Sequence, residues 1–288
     1  MPFLIISIII AFCLSLFSCT DRIDIKTDDA DPRLVIYGYI TTDTMQHSIR
    51  ITRSSGYFAT SKPAGISNAD VTIATDDATF TLTENPSDPG LYQTAANVYG
   101  LPGKTYKLNV KVDFENSGVK EEYEASSYLP LPPAVDSIFL KEPENFTDFM
   151  EILLWGKIAD NEENYMSFHA YSNRALVNDS LVNYSLIDDE YIDKKEMKGV
   201  ACYYLDQEKD EEKIVKGDIV GLRVNSITKE YSDFLRDAQS EAIGSIPIFS
   251  GPPANIQTNI KARNANNKIP ISGFFTAYSG KKAEIVYE

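Results

Sequence analysis

The chain has 288 residues, with 27 basic against 42 acidic side chains and a formal net charge of −15. Such a surface repels phosphate backbones, and with no basic stripe to offset that repulsion nucleic acid is excluded as a partner. Three cysteines and two histidines do not supply a disulfide framework or a histidine-rich metal site.

Residues 1–18, "MPFLIISIIIAFCLSLFS", carry no charge and give way at once to Cys19 and the acidic segment "TDRIDIKTDDADP" at 20–32. Eighteen residues is the lower edge of a membrane span, and the N-terminal position reads as a signal peptide. Leu16-Phe17-Ser18-Cys19 is close to a bacterial lipobox, in which a small residue precedes the cysteine that is acylated. Cys19 is therefore expected to be the lipid attachment site, with residues 19–32 as an acidic tether. Membrane attachment then comes from N-terminal acyl chains, because the acidic surface disfavours anionic headgroups. Phe17 is bulkier than usual for a lipobox and residues 1–18 hold no Lys or Arg, so an ordinary signal or an uncleaved anchor is the alternative.

The next hundred residues read as short strands. Segments 33–41 ("RLVIYGYIT"), 47–54, 69–75, 78–84, 89–95, 104–114 and 122–129 alternate in polarity or are β-branched. Gly, Pro, Asn and Asp separate them. Asp76-Asp77 marks a two-residue hairpin connection that lacks the favoured glycine. In 104–114, Tyr106, Leu108, Val110 and Val112 share one face. The series predicts an antiparallel, Ig-like or prealbumin-like β-sandwich over residues 33–128. A proline-rich linker, "LPLPPA", follows at 129–134.

Residues 135–288 predict a second β-rich domain, an open barrel or sandwich. Its strand candidates are 135–141, 149–160, 164–173, 199–206, 218–227 and 273–288. One helix is inserted near 229–243, where Tyr231, Phe234, Leu235, Ala238 and Ala242 fall on a single apolar face. Ser226 or Thr228 is placed to cap its start and Gly244 to end it. The Pro/Gly/Asn-rich stretch 246–259 then forms a long loop of the kind that often carries function.

Motifs of catalysis are missing: there is no glycine-rich phosphate loop, HExxH, CxxC or GxSxG. The acidic clusters 188–196 and 206–213 lack EF-hand spacing, and neither a metal nor a cofactor is expected. Cys202, in "GVACYYLD", reads as a small buried hydrophobe. A carboxylate pair for glycoside hydrolysis leaves little trace in sequence, so a cryptic hydrolase stands as an alternative. Aromatic residues are the suggestive feature, with 17 Tyr and 14 Phe. Tyr57 and Phe58, in the loop "RSSGYFATSKP", are the candidate ligand-binding residues, since apolar bulk is not needed there for packing. Tyr37 and Tyr39 share one face of the first strand, a position for which tyrosine is simply a good strand residue.

The order of "LVIYGYIT", "SIRITRSSGYF", "PGLYQTAANVYGLPGKTYKLNV" and "SGPPANIQTNI" before "GFFTAYS" resembles outer-membrane lipoproteins of the Bacteroidetes, domain-of-unknown-function family 4249. The resemblance covers nearly all of the mature chain. It implies a lipid-anchored outer-membrane protein working beside a SusC-type TonB-dependent transporter to capture a glycan, peptide or chelate. It supplies no catalytic residues. A surface adhesin is the competing expectation.

Overall fold

Alternation along one strand sets the pattern for the whole chain. In β1 (Leu34–Thr41), Leu34, Ile36 and Ile40 are fully buried, whereas Tyr37 and Tyr39 on the other face keep accessible surface. The computed structural model describes residues 31–55, 62–144, 148–158, 163–188, 196–243 and 256–288. Cys19, Tyr57, Phe58 and Gly244 lie outside these residues, as does the loop from 244 to 255.

The N-terminal half follows the expected strands closely. After β1 come β2 (Ser48–Arg53), β3 (Asp70–Ala74), β4 (Thr79–Glu84), β5 (Leu91–Gln93), β6 (Thr105–Val112) and β7 (Glu121–Tyr128). All six neighbouring pairs among them are antiparallel. The β3–β4 hairpin forms without glycine because Thr75 closes it. Its Oγ1 accepts from the N–H groups of Asp77 at 3.2 Å and Ala78 at 3.1 Å.

Beyond residue 133 the chain forms β8 (Ala134–Lys141), β9 (Phe149–Lys157), β10 (Tyr165–Ser172) and β11 (Ala175–Leu176). A 3₁₀ turn (Leu181–Asn183), β12 (Ser185–Asp188), β13 (Glu196–Asp206) and β14 (Ile219–Ile227) follow. Last come the helix α1 (Lys229–Ile243), β15 (Lys261–Ala262) and the long β16 (Ile271–Val286). The chain is mainly β, with one large sheet, a small second sheet and a single α-helix among the described residues.

The C-terminal strand ties the halves together. Residues 271–278 run parallel to β1, while 279–286 pair antiparallel with β14. At its start, Gly273 has φ +100° and lies so close to β1 that a Cβ would sit 2.1 Å from the Ile36 carbonyl oxygen. The large sheet therefore runs β11-β10-β14-β16-β1-β2-β5-β4-β3-β6-β7-β15, with β12 on β10. The small sheet is β13-β9-β8. The stretch 129–134 lies between β7 and β8, and Leu129 within it is fully buried. Strands from both sides of that stretch share the large sheet.

Two apolar cores occupy one face of this shared sheet. Leu34, Ile36, Ile49, Ile51, Leu108 and Val110 pack with Phe275 and Ala277 of β16. Met166, Phe168, Leu222 and Val224 pack under the small sheet, against Ile152, Leu154 and Cys202. The opposite face of β10, β14, β16 and β1 is partly covered by α1. Thr228 caps the helix, its Oγ1 accepting from the Tyr231 N–H at 3.2 Å. Tyr231, Leu235 and Ala238 are buried as their spacing predicts, whereas Ala242 is exposed. The packed face stops one turn short of the helix end, and Ile243 is 72% exposed there.

Candidate ligand-binding site

Period-two alternation aims one set of side chains from four adjacent strands at the helix-covered face. These are Tyr37, Tyr39 and Thr41 from β1; Phe274 and Tyr278 from β16; Arg223, Asn225 and Ile227 from β14; and Ser167, His169 and Tyr171 from β10. Helix α1 covers only part of this patch. Tyr37, Phe234, Phe274 and Tyr231 stack beneath it, with ring centroids 4.8 to 6.4 Å apart. Gln239 fixes the helix sideways by donating to the carbonyls of Leu181 at 2.9 Å and Tyr184 at 2.7 Å. Beside the helix a cavity of about 290 Å³ remains. Six tyrosines line it: Tyr37, Tyr39, Tyr171, Tyr184, Tyr231 and Tyr278.

The polar groups of the cavity fall into two sets. One set is engaged with other protein groups. Tyr37 and Tyr231 share a hydrogen bond of 2.9 Å between their hydroxyls. Arg223 Nε donates to Asn225 Oδ1 at 2.8 Å, and Asn225 Nδ2 donates to Ser167 Oγ at 3.2 Å. Arg223 Nη2 stands 2.7 Å from Asp43 Oδ2, an ion pair by distance that is not aligned as a hydrogen bond. Gly280 makes room for this cluster, because a Cβ there would lie 2.5 Å from both Arg223 Nη2 and Asn225 Oδ1.

The other set has no protein partner. Among the described residues, the hydroxyls of Tyr39, Tyr171, Tyr184 and Tyr278 and the ring nitrogens of His169 make no hydrogen bond. Tyr278 is deep in the molecule yet keeps accessible surface, and that surface belongs to the cavity. Burial raises the pKa of its phenol, and the nearby Tyr39 and Tyr37 add to the effect. Burial likewise raises Tyr184 and Tyr231. These hydroxyls therefore stay protonated and can both donate and accept. His169, edge-on to Tyr184 with centroids 4.7 Å apart, is pushed down to about 4 by burial, with the Arg223 charge adding to the shift. Its imidazole is neutral at physiological pH.

Sequence reasoning placed the candidate contacts at Tyr57 and Phe58, which lie outside the described residues. It passed over Tyr37 and Tyr39 as ordinary strand residues, and the structure puts both in the cavity. Their shared face was the available signal; the partner strands β10, β14 and β16 were not legible as neighbours. Cys202 is 1% exposed inside the second core, as its apolar context predicts. No group of His, Cys, Asp and Glu suited to a metal ion occurs among the described residues. No described helix is long and apolar enough to cross a membrane.

Comparison with known proteins gives a family match and distant structural likenesses. The profile described as "Domain of unknown function (DUF4249)" matches residues 20–284, and the chain belongs to this family. No curated protein matches the chain. Among solved structures, the chicken CNTN1 FN1-FN3 domains are similar with a TM-score of 0.25 and 13% identity, covering 69% of this chain and 64% of that one. A Parabacteroides merdae beta-glucuronidase with glycerol in its active site has a TM-score of 0.22 and 10% identity, covering 68% of this chain and 23% of that one. The chain thus spans less than two thirds of either.

Proposed function

We propose that this member of the DUF4249 family is a lipid-anchored binding protein of the bacterial outer membrane. It captures a nutrient and passes it to a SusC-type TonB-dependent transporter. The observation that carries the binding half of this reading is the tyrosine-lined cavity, four of whose hydroxyls have no partner among the described residues. These hydroxyls are accessible from a concavity lined by aromatic rings, so a ligand with its own hydroxyl or carbonyl groups can take the place of the water that otherwise solvates them. The anchoring half rests on the lipobox-like Leu16-Phe17-Ser18-Cys19 and the acidic segment after it.

Binding is favoured over catalysis by the state of the ionisable groups. Burial holds the phenols of Tyr184, Tyr231 and Tyr278 protonated, and Asp43, the one carboxylate lining the cavity among the described residues, stands 2.7 Å from Arg223. A glycosidase of the two-carboxylate kind would need a second carboxyl facing the first across the cleft.

The test is isolation of the native protein from membranes together with mass analysis of its mature N-terminus. An acylated Cys19 and a co-purifying TonB-dependent transporter are the expected results. An unmodified Cys19 thiol, or a retained leader, overturns the anchoring; a partner-free acylated protein overturns the transporter role.

A further inference from the structure

We propose that the tyrosine cavity selects an uncharged, polyhydroxylated ligand of mono- to disaccharide size. The inference rests on the binding reading above and names the chemical class that the site would take.

Size sets the first limit. A volume of about 290 Å³ is at the lower end of the ~300–1,000 Å³ typical of small-molecule sites. That volume suits a ligand of one or two sugar rings.

Charge sets the second. Among the described residues, Arg223 and Asp43 are the acidic and basic side chains lining the cavity, and they face each other at 2.7 Å. Arg223 also spends its Nε on Asn225, and its Nη2 is buried away from any incoming molecule. Lys282 lies near, but it covers the Tyr171 ring at 4.6 Å and pairs with Glu284 at 2.7 Å. Among the described residues lining the cavity the two charges offset each other, so the site presents no net charge to an ionic ligand. A charged ligand would give up its hydration and compete with the Arg223–Asp43 pair for its counter-charge.

Hydrogen bonding sets the third. The unpartnered groups are phenols and a neutral imidazole, each able to donate and to accept. Sugar hydroxyls have the same dual character, so several such pairs can form together whatever the orientation of each O–H. An apolar ligand would strip water from these groups and leave them unpaired. The flat faces of the tyrosine rings suit the C–H faces of a pyranose. Several rigid rings converging from separate elements (Tyr39 on β1, Tyr278 on β16, Tyr171 on β10, Tyr184 beside the 3₁₀ turn) make a preformed wall with little ordering left to pay on binding.

The experiment is calorimetric titration of the full chain in detergent with three probe sets. These are uncharged mono- and disaccharides (glucose, galactose, mannose, xylose, maltose, cellobiose and lactose), the uronic acids of the same sugars, and di- and tripeptides. Tyr278→Phe and the double variant Tyr39→Phe/Tyr278→Phe remove hydroxyls while keeping the rings. The expected result is binding by an uncharged sugar, at least tenfold weaker to each variant with an unchanged unfolding temperature, and no binding by its uronic acid. Binding by peptides or uronic acids that is equally sensitive to Tyr278→Phe overturns the saccharide class and leaves the binding reading in place. Failure of every uncharged sugar to bind overturns the inference; the anchored, transporter-linked role is judged separately by the membrane isolation above.

Discussion

The phenol oxygens of Tyr37 and Tyr231 lie 2.9 Å apart, joining β1 to α1 across 194 residues of sequence. The pair sits in the aromatic stack that seats the helix on the shared sheet, next to Phe234 and Phe274. Replacing either tyrosine by phenylalanine leaves the other hydroxyl buried and unpaired, with a cost of about 1–2 kcal/mol. Replacing both removes donor and acceptor together and should restore most of that loss. Urea unfolding of Tyr37→Phe, Tyr231→Phe and the double variant measures the coupling, and additive losses would show that the two hydroxyls act independently.

Gly280 holds the space that Arg223 and Asn225 occupy. In Gly280→Ala the new methyl group would meet Arg223 Nη2 and Asn225 Oδ1 at 2.5 Å, so the guanidinium must leave its place between Asn225 and Asp43. The expected cost is about 1–3 kcal/mol, as for other overpacked interior sites. A crystal structure of the variant should show the Arg223–Asn225 contact broken. An unchanged unfolding midpoint with the contact intact would refute the account.

His169 makes stability depend on pH. Burial and then the Arg223 charge hold its folded pKa at about 4, while an unfolded histidine titrates near ~6.5. Above ~6.5 both states are neutral and the native structure keeps its full stability. As pH falls from there toward 4, the unfolded chain takes up a proton that the native state refuses, and stability drops by up to about 3 kcal/mol. His47, buried and bonded at Nε2 to the Val98 carbonyl at 3.2 Å, is shifted in the same direction by burial. Denaturant midpoints at pH 7.5 and 4.5 for the parent and for His169→Gln separate the two, since the variant should lose less on acidification. Equal losses in both proteins would assign the whole effect to His47 and other groups.

Cys202 should be chemically silent while the protein is folded. It lies in the second core at 1% exposure, its Sγ directed at the Val200 carbonyl oxygen at 3.3 Å, and burial pushes its thiol pKa up. Iodoacetamide at pH 8 is expected to leave it unlabelled in the native state and to modify it in urea, as read by peptide mass spectrometry. Cys202→Ser buries a hydroxyl in the same site and should destabilise by about 1–3 kcal/mol. Labelling of the folded protein at the unfolded rate would contradict its placement.

Much of this architecture was already legible in the amino-acid order. "LVIYGYIT" and "TYKLNVKV" alternate with the pleat, so β1 and β6 and the residues that face their core could be read directly. Thr228 and the spacing of Tyr231, Leu235 and Ala238 fixed the start and the buried side of α1. Such signals are local: each depends on side chains within one turn or one strand, and the backbone geometry that relates them is the same in every protein.

Strand neighbours distant in sequence were decided by tertiary structure alone. Nothing in Leu34–Thr41 indicates that Ile271–Tyr278 will lie parallel to it, since that pairing is stabilised by contacts made only after a long loop has closed. The cavity follows from the same cause. Alternation puts Tyr37 and Tyr39 on one face, but whether that face is packed, solvated or hollow depends on how far α1 and the 3₁₀ turn reach across four strands drawn from distant parts of the chain. Sequence determined that Tyr37 and Tyr39 share a face; the tertiary structure brought the other tyrosines beside them, and the incomplete cover above made that face line a cavity.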